Sequence, residues 1–364
     1  MIPIMEPWLD HQEKDRVIDC LNTGWISSQG PYIPEFERSF SEFCRTRYGV
    51  ATSNGTTALH LALLTLGIGP GDEVIVPALS FIASANVVVY TGARPVFADV
   101  EENTWTLNPT LVEPLITPRT KAIMPVHLYG HPTHMEPIME LARKHHLWVV
   151  EDAAEAHGAE YNGKKVGSLG HMGCFSFYGN KIISTGEGGM LVSDNEEWVE
   201  KARILRDHGM SKVKKYWHPV VGYNFRMTNI QAAIGLGQMT KIEQLISHKR
   251  QIADYYRQGL KDLPGIILPV EEAWAKSVFW LFNLRLRPEI KKNRDNLMTL
   301  LSKGEVESRP VFYPIPAMPP YQGQGSFPVS EQVSAQGISL PSGFKLTPSQ
   351  QDYIISIIKK FIEV

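Results

Sequence analysis

The stretch LWVVEDAAEA, residues Leu147–Ala156, decides the class of fold. Its first half is a short run of large apolar and β-branched residues, and it ends in two adjacent carboxylates, Glu151 and Asp152. A continuous apolar run of this length predicts a strand that is buried on both faces of a sheet. The carboxylates then fall at the carboxyl end of the strand, where open α/β sheets bind their ligands.

Similar runs recur before and after this stretch, with helical patterns between them. A helical pattern follows Asn54, a second precedes Leu147, and a helix is predicted over 195–208. This alternation predicts an α/β fold with a mostly parallel sheet covered by helices on both faces. The predicted strands are Glu73–Pro77, Arg94–Val100, Lys121–Gly130 and Leu147–Ala156, with two more in FSFYGN and GMLVSD.

The pattern changes in the last third of the chain. Residues 228–260 are typical of one or two long helices, after which FWLFNLRLRP is strand-like and NRDNLMTLLSKG helical. The final helix is predicted to start at Pro348, with Thr347 as its N-cap. We predict a large domain over 1–255 and a smaller α+β domain over 256–364, with 310–330 forming a Pro- and Gly-rich loop.

Composition excludes several classes of function. The net charge of −2 over 364 residues gives no electrostatic reason to expect nucleic acid or an anionic membrane as a partner. No segment has the apolar length of a membrane span, and the first residues lack the pattern of a signal peptide. Cys20, Cys44 and Cys174 have neither disulfide-framework nor metal-type spacing, so no metal site is predicted. We therefore expect a cytoplasmic protein.

The segment SNGTTALHLAL, residues Ser53–Leu63, places a polar turn immediately before an apolar helix. The first N–H groups of a helix have no intrahelical acceptor, and such an N-terminus suits a phosphate. The bland alternative is an ordinary helix cap without a ligand. Asp152 has two similar interpretations, since a carboxylate after a strand can cap the next helix or hold a cationic ligand.

The segment CFSFYGNKIISTGEGGM, residues Cys174–Met190, places Lys181 between an aromatic run and two isoleucines, with glycines on either side. An apolar setting disfavours the ammonium form and lowers the pKa, and a neutral amine can form a Schiff base with an aldehyde. The alternative is a loop lysine that extends to water. A phosphate cradle, an aspartate at a strand end and an isolated lysine match pyridoxal phosphate (PLP), which carries a phosphate, a pyridinium nitrogen and an aldehyde.

These motifs together resemble those of the DegT-type nucleotide-sugar aminotransferases, which have the fold type I aminotransferase architecture. The resemblance covers essentially the whole chain, from GWISSQGPYIPEFE through SNGTTALHLAL, EDAAEAHGA and FSFYGNK to YNFRMTNIQAAIG and ESRPVFYP. It implies a sheet of seven strands, as in fold type I enzymes, PLP as the cofactor, and a homodimer with active sites at its interface. The N-terminal segment 1–30 is then expected to line the substrate pocket.

The resemblance implies a role for each cofactor contact. Lys181 would hold PLP as an internal aldimine and act as general acid and base, and Asp152 would pair with the pyridine nitrogen. Glu155 stands where many relatives carry glutamine. The resemblance implies that the phosphate is held by Gly55, Thr56 and Ser176. Phe81 would stack on the ring, and Glu155 would lie beside the ring hydroxyl. Asn224 would reach the cofactor phosphate of the neighbouring subunit.

The residues that the resemblance places at the nucleotide sugar are Trp25, Ser27, Tyr178, Arg309 and Tyr313. An arginine suits a pyrophosphate because its guanidinium binds it in a bidentate manner.

Structural alternatives stay open for four residues. Phe81 could be a core aromatic, Asn224 a turn residue and Arg226 a surface ion-pair partner. His127 is either a satisfied buried histidine or a substrate contact.

The expected reaction is a transamination in two halves. L-Glutamate donates the amine and leaves as 2-oxoglutarate, and a 4-keto-6-deoxy sugar on a nucleotide diphosphate accepts it. Subgroup resemblance favours a GDP-linked sugar and C4, giving a 4-amino-4,6-dideoxyhexose of the kind used in O-antigen lipopolysaccharide. Pro316 and Ala317 stand where that subgroup carries His-Thr, so a dTDP-linked sugar or amination at C3 stays open.

Two further hypotheses have the same fold without amino transfer. A dehydratase of this fold would carry histidine in place of the lysine at position 181. A non-catalytic sensor that only binds a ligand would have lost Lys181 or Asp152. This chain keeps both residues, which argues against both hypotheses.

Overall fold

A computed structural model of the chain describes residues 1–290 and 292–363. Its α-helices are α1 His11–Thr23, α2 Tyr32–Cys44, α3 Gly55–Thr65, α4 Ala83–Tyr90, α5 Met135–His145, α6 Glu196–Arg206, α7 Asn229–Met239, α8 Ile242–Leu260, α9 Arg294–Lys303, α10 Pro328–Gln336 and α11 Pro348–Glu363. Its strands are β1 Tyr48–Thr52, β2 Glu73–Pro77, β3 Arg94–Ala98, β4 Thr120–Ile123, β5 Trp148–Asp152, β6 Glu160–Tyr161, β7 Lys164–Lys165, β8 Met172–Ser176, β9 Gly189–Ser193, β10 Ile266–Ile267, β11 Ala275–Lys276, β12 Phe282–Leu286, β13 Arg309–Pro310 and β14 Gly337–Leu340.

The main sheet has seven strands in the order β1-β9-β8-β5-β4-β2-β3. Strands β8, β5, β4, β2 and β3 pair in parallel, and β9 runs antiparallel to both of its neighbours. The predicted α/β fold with a mostly parallel sheet is therefore confirmed. Because β5 and β8 are parallel neighbours, Asp152 and Ser176 reach the same edge of the sheet.

Helices cover both faces of this sheet, as its unalternating apolar strands predict. On one face Val74 and Val150 pack in a cluster with α3 and α4 residues such as Leu61. On the other face Ile75 packs with residues of α5 such as Ile138. Because both faces are covered, a ligand can reach the sheet only at the ends of its strands.

A second sheet, antiparallel, has the order β10-β12-β14-β13 and packs against α9 and α11. Helix α8 contributes side chains to two hydrophobic clusters. Leu245 packs in a cluster with residues of the main sheet such as Met190, and Tyr256 packs in a cluster with residues of the second sheet such as Phe282. The domain boundary at 255/256 stays a prediction. None of the helices within the described residues combines the length and the apolarity that a bilayer crossing requires.

Several predicted strands end earlier than the sequence indicates. The strand predicted over Arg94–Val100 ends at Ala98, and the strand predicted in FSFYGN ends at Ser176. The strand predicted over Lys121–Gly130 is wrong after Ile123, where β4 ends, and a short 3-10 turn follows at Leu128–Gly130. Tyr129 in this turn has a left-handed backbone, with φ of 52°. The strand predicted over Leu147–Ala156 ends at Asp152, where the chain turns through the segment that carries Glu155. The predicted Thr347 cap is confirmed, since its Oγ accepts from the Gln350 N–H at 3.3 Å.

Candidate active site

A cavity of about 700 Å³ lies at the carboxyl ends of β5 and β8, beside the N-terminus of α3. Parts of the second sheet close its other side, through Arg309 and Ser339. The sequence-predicted residues that line it are Gly55, Thr56, Phe81, Asp152, Glu155, Ser176, Tyr178, Lys181 and Arg309. The cavity thus brings the three motifs to one place.

Lys181 is buried in the wall of this cavity. Its Nζ lies 3.4 Å from Oε1 of Glu155 and 3.7 Å from the ring centroid of Trp280. Burial lowers the pKa of Lys181, and the nearby charges of Glu155 and Asp152 oppose that shift. The alternative of a loop lysine that extends to water is therefore wrong.

Asp152 is the last residue of β5, and it is also buried. Its Oδ2 accepts from the hydroxyl of Ser84 at 2.7 Å, and its Oδ1 accepts from the N–H of Ala154 at 3.2 Å. Burial raises the pKa of Asp152, while the bond from Ser84 and the charge of Lys181 lower it. Since no α-helix of the described residues begins at the following turn, the helix-cap alternative for Asp152 is wrong.

Glu155 follows Asp152 in the turn after β5 and lies opposite Lys181. Its Oε2 accepts from the backbone N–H of Tyr129 at 2.9 Å, which leaves Oε1 directed at the lysine. Burial raises the pKa of Glu155, and the Lys181 charge opposes the rise. The pair is a carboxylate and an amine that are both buried and 3.4 Å apart.

The N-terminus of α3 forms the floor of the cavity. Asn54 caps the helix by accepting from the Thr57 N–H at 2.9 Å, so the chain enters the helix with its first amides turned to the cavity end. A Cβ on Gly55 would lie 2.6 Å from the Cβ of Ser176. Only glycine allows the helix end and the end of β8 to approach this closely.

Phe81 and Tyr178 stand at the open side of the cavity. Phe81 is 55% exposed, so its alternative as a core aromatic is wrong. Its ring lies 5.9 Å from that of Phe312, centroid to centroid. The exposed rings of Phe81 and Tyr178 are thus available to a ligand.

His127 lies outside the cavity and is fully buried. Its Nε2 lies 2.9 Å from Oε2 of Glu151, and its Nδ1 accepts from the Thr133 N–H at 3.0 Å. Glu151 also accepts from the N–H of Gly167 at 2.7 Å. The interpretation as a satisfied buried histidine is correct.

Four predicted contacts lie outside the cavity of the single chain: Trp25, Ser27, Asn224 and Tyr313. None of the cavity-lining residues in the described part of the chain comes from segment 1–30. Asn224 Oδ1 accepts from Arg226 Nε at 3.0 Å, and Arg226 pairs with Asp207 at 2.7 Å, as the ion-pair alternative expects. The roles of these four residues at a ligand stay predictions.

Sequence reasoning missed Ser84, Tyr129 and Trp280. The run FWLFNL predicts a strand that includes Trp280, but β12 begins only at Phe282, which leaves the indole free to face Lys181. The strand predicted through Tyr129 is replaced by a turn, and the N–H of this residue holds Glu155. Ser84 carries a weaker signal, as a small polar residue close after Phe81 in LSFIASAN.

The cavity has the donor set that PLP requires. Helix N–H groups beside a glycine suit a phosphate, a buried carboxylate suits a cationic ring nitrogen, and a buried amine suits an aldehyde. Helix N–H groups, a carboxylate and a lysine at the edge of such a sheet are typical of fold type I PLP-dependent enzymes, and this chain is a PLP-dependent aminotransferase.

The chain belongs to the DegT/DnrJ/EryC1/StrS aminotransferase family, which it matches over residues 7–359. It is 46% identical over 364 residues to the GDP-perosamine synthase of Caulobacter vibrioides, covering 99% of this chain and 98% of the relative. It is 45% identical to the GDP-perosamine synthase of Escherichia coli O157:H7, with coverage of 99% and 98%. The structure resembles the PLP form of the putative sugar aminotransferase Spr1654 from Streptococcus pneumoniae, with a TM-score of 0.95, 30% identity and coverage of 100% and 98%.

Proposed function

We propose that this chain transfers an amino group from L-glutamate to C4 of GDP-4-keto-6-deoxy-D-mannose, giving GDP-perosamine. The observation that carries the proposal is the buried Lys181 amine, 3.4 Å from Glu155, in a cavity that Asp152 also lines. This is the arrangement that amino transfer needs. The substrate is taken from the two relatives, which share close to half of their residues with this chain.

Lys181 would link PLP covalently, and the α3 N-terminus would hold the phosphate with Gly55, Thr56 and Ser176. Asp152 would pair with the ring nitrogen, and the hydroxyl of Ser84 favours the ionised form of this carboxylate. When bound, PLP supplies an electron-withdrawing ring that stabilises negative charge on the carbon next to the transferred nitrogen.

Lys181 Nζ moves the proton in each half-reaction, since it is the one amine in the cavity wall of the described chain. A general base works best with a pKa near the operating pH, and burial lowers the pKa of Lys181 in that direction. The charge of Glu155 opposes this lowering of the pKa, so the amine can also take up the proton. Apolar side chains such as Leu59 and Val126 line the cavity around the amine.

The nucleotide sugar enters past Tyr178 and Arg309, two residues of the cavity lining that are exposed to solvent. Trp25 and Tyr313 are about half exposed, as expected if a second copy of the chain covers them. We propose a homodimer in which Asn224 of one copy reaches the cofactor phosphate of the other. The dimer then completes the substrate pocket.

Pro316 is the observation that favours a second candidate, a dTDP-linked sugar or amination at C3. It is buried in a short 3-10 turn at Ile315–Ala317, where the subgroup's histidine would carry a polar ring. A changed sugar or nucleotide would explain that replacement.

The test is a panel of GDP- and dTDP-linked 4-keto and 3-keto sugars, incubated with L-glutamate and the holoenzyme. We expect the GDP-linked 4-keto sugar to be consumed fastest, with the new nitrogen placed at C4 by NMR of the product. The Lys181→Ala variant is the control, and it should give no product. Faster turnover of a dTDP-linked or 3-keto sugar would overturn the assignment in favour of the second candidate.

A further inference from the structure

Trp280 is the large side chain next to the reactive amine. It precedes β12, is 3% exposed, and has its ring centroid 3.7 Å from Lys181 Nζ. The same Nζ lies 3.4 Å from Glu155 Oε1. The amine is therefore held between a π face and a carboxylate.

Three hydrogen bonds fix the position of Trp280. Its Nε1–H donates to the carbonyl of Asn180, the residue before the lysine, at 2.6 Å. Its backbone N–H donates to the carbonyl of Tyr129 at 3.0 Å, and its own carbonyl accepts from the buried Lys249 Nζ at 2.8 Å. The indole cannot turn away from Lys181 without breaking its Nε1–H bond to Asn180, and the two backbone bonds hold the residue itself in place.

Tyr129 ties the indole and Glu155 into one frame. The rings of Tyr129 and Trp280 are stacked with centroids 5.9 Å apart and an interplanar angle of 14°, and Phe312 stacks on Tyr129 at 5.2 Å. The backbone N–H of Tyr129 holds Glu155 at 2.9 Å. Both partners of the Lys181 amine are thus positioned by one turn.

The groups around Lys181 act in opposite directions on its charge. Burial lowers the pKa of Lys181, the charges of Glu155 and Asp152 oppose that shift, and the buried His157 stays neutral because burial lowers its pKa to about 3. A desolvated ammonium over an indole face gains more than an exposed one. The other titratable side chains that line the cavity are Tyr129, Tyr178, Glu187 and Arg309.

We propose that Trp280 is a further catalytic residue, the π face that receives the Lys181 ammonium whenever that amine is not joined to the cofactor. The proposal rests on the proposed function, in which Lys181 both links the cofactor and moves the proton, so that its amine must be free during part of each cycle. By holding the free amine at one position, Trp280 would keep it within reach of the carbon whose proton it moves.

The test uses the apoprotein, with fluorinated tryptophan inserted at position 280 alone. Successive fluorine atoms withdraw charge from the ring face while its shape and its Nε1–H are kept. The pKa of Lys181 is measured from the pH dependence of its acylation rate, followed by peptide mass spectrometry. We expect the pKa to fall stepwise by about one unit in total, so the rate at a fixed pH below the pKa rises about tenfold.

Two matched controls accompany the series. Lys165 lies 3.6 Å from the Phe43 ring centroid and pairs with Glu243, so its acylation should not respond. Fluorination of Trp274, which stacks on His134, should leave Lys181 unchanged. An acylation profile of Lys181 that is the same at every degree of fluorination at position 280 would overturn the proposal. PLP uptake by the same preparations separates this result from a failure of the proposed function, which would abolish uptake altogether.

Discussion

Ser84 Oγ lies 2.7 Å from Oδ2 of Asp152, and the hydroxyl donates to the carboxylate inside the buried end of β5. Ser80 extends the contact, with its Oγ 3.1 Å from that of Ser84. Burial raises the pKa of Asp152, and the Ser84 hydrogen bond opposes the rise. The serine therefore favours the ionised carboxylate that a pyridinium nitrogen requires.

Replacing Ser84 by alanine should weaken PLP binding. A hydrogen bond to a charged group contributes about 1.5–3 kcal/mol, so we expect at least a roughly tenfold loss of affinity in a fluorescence titration of the apoprotein. Ser84→Thr keeps the hydroxyl and is the matched control, expected to bind nearly as the unmodified chain does. Equal affinities for the alanine and threonine variants would show that this bond is unimportant for the cofactor.

Replacing Glu155 by glutamine should shift the pH at which Lys181 reacts. Glutamine can still accept from the Tyr129 N–H but loses the charge that raises the pKa of Lys181. The amine then loses its proton at lower pH, and the pH profile of PLP uptake by the apoprotein should move down by about one unit. Glu187→Gln, an exposed carboxyl of the same cavity wall, is the control. A profile that moves as far in the control as in Glu155→Gln would contradict the pairing.

Replacing Gly55 by alanine should separate α3 from β8. The added Cβ would lie 2.6 Å from that of Ser176, and overpacking of this kind costs about 1–3 kcal/mol. We expect a lower thermal midpoint and a large loss of affinity for both PLP and inorganic phosphate, measured by calorimetry. In Gly69→Ala the new Cβ would meet only the carbonyl of Thr91, at 3.8 Å, so both properties should be kept. Unchanged phosphate affinity in Gly55→Ala would remove α3 from the cradle.

Replacing His157 by phenylalanine should make the apoprotein less sensitive to acid. Burial lowers the pKa of His157 from 6.5 to about 3, so between these values the unfolded chain binds a proton that the folded chain does not. Stability then falls as the pH falls through this window, by about 2 kcal/mol at pH 5 from this residue. Urea titrations at pH 7 and pH 5 should show a smaller difference in the variant, but not none, because burial also lowers the pKa of His131, to about 4. His11 lies at an exposed helix end, so His11→Gln should have the acid sensitivity of the unmodified chain. An unchanged acid sensitivity in His157→Phe would contradict the lowered pKa of His157.

The sequence predicted the centre of the site because its three motifs follow parallel strands. Asp152 ends β5 and Ser176 ends β8, and parallel neighbours bring their carboxyl ends to the same edge. Lys181 follows within a few residues, so its position depends on one short loop. The apolar strand patterns indicated Asp152 and Lys181, whereas the family resemblance indicated Ser176.

The same reasoning could not find Trp280 or the role of Tyr129. Trp280 precedes the second sheet, and its direction depends on where β12 begins, which an apolar run such as FWLFNL does not specify. Tyr129 lies in a left-handed turn that its β-prone neighbours conceal. The contacts proposed for Trp25 and Asn224 would require a second copy of the chain, whose arrangement neither the sequence pattern nor a single chain specifies.

The most direct test is the absorbance spectrum of the purified protein with PLP, recorded before and after L-glutamate is added. We predict a yellow band that moves to shorter wavelength with glutamate, and no such conversion in Lys181→Ala. A colourless protein that does not take up added PLP, or a Lys181→Ala variant that converts glutamate as the unmodified chain does, would contradict the assignment of Lys181 as the residue that holds the cofactor and moves the proton.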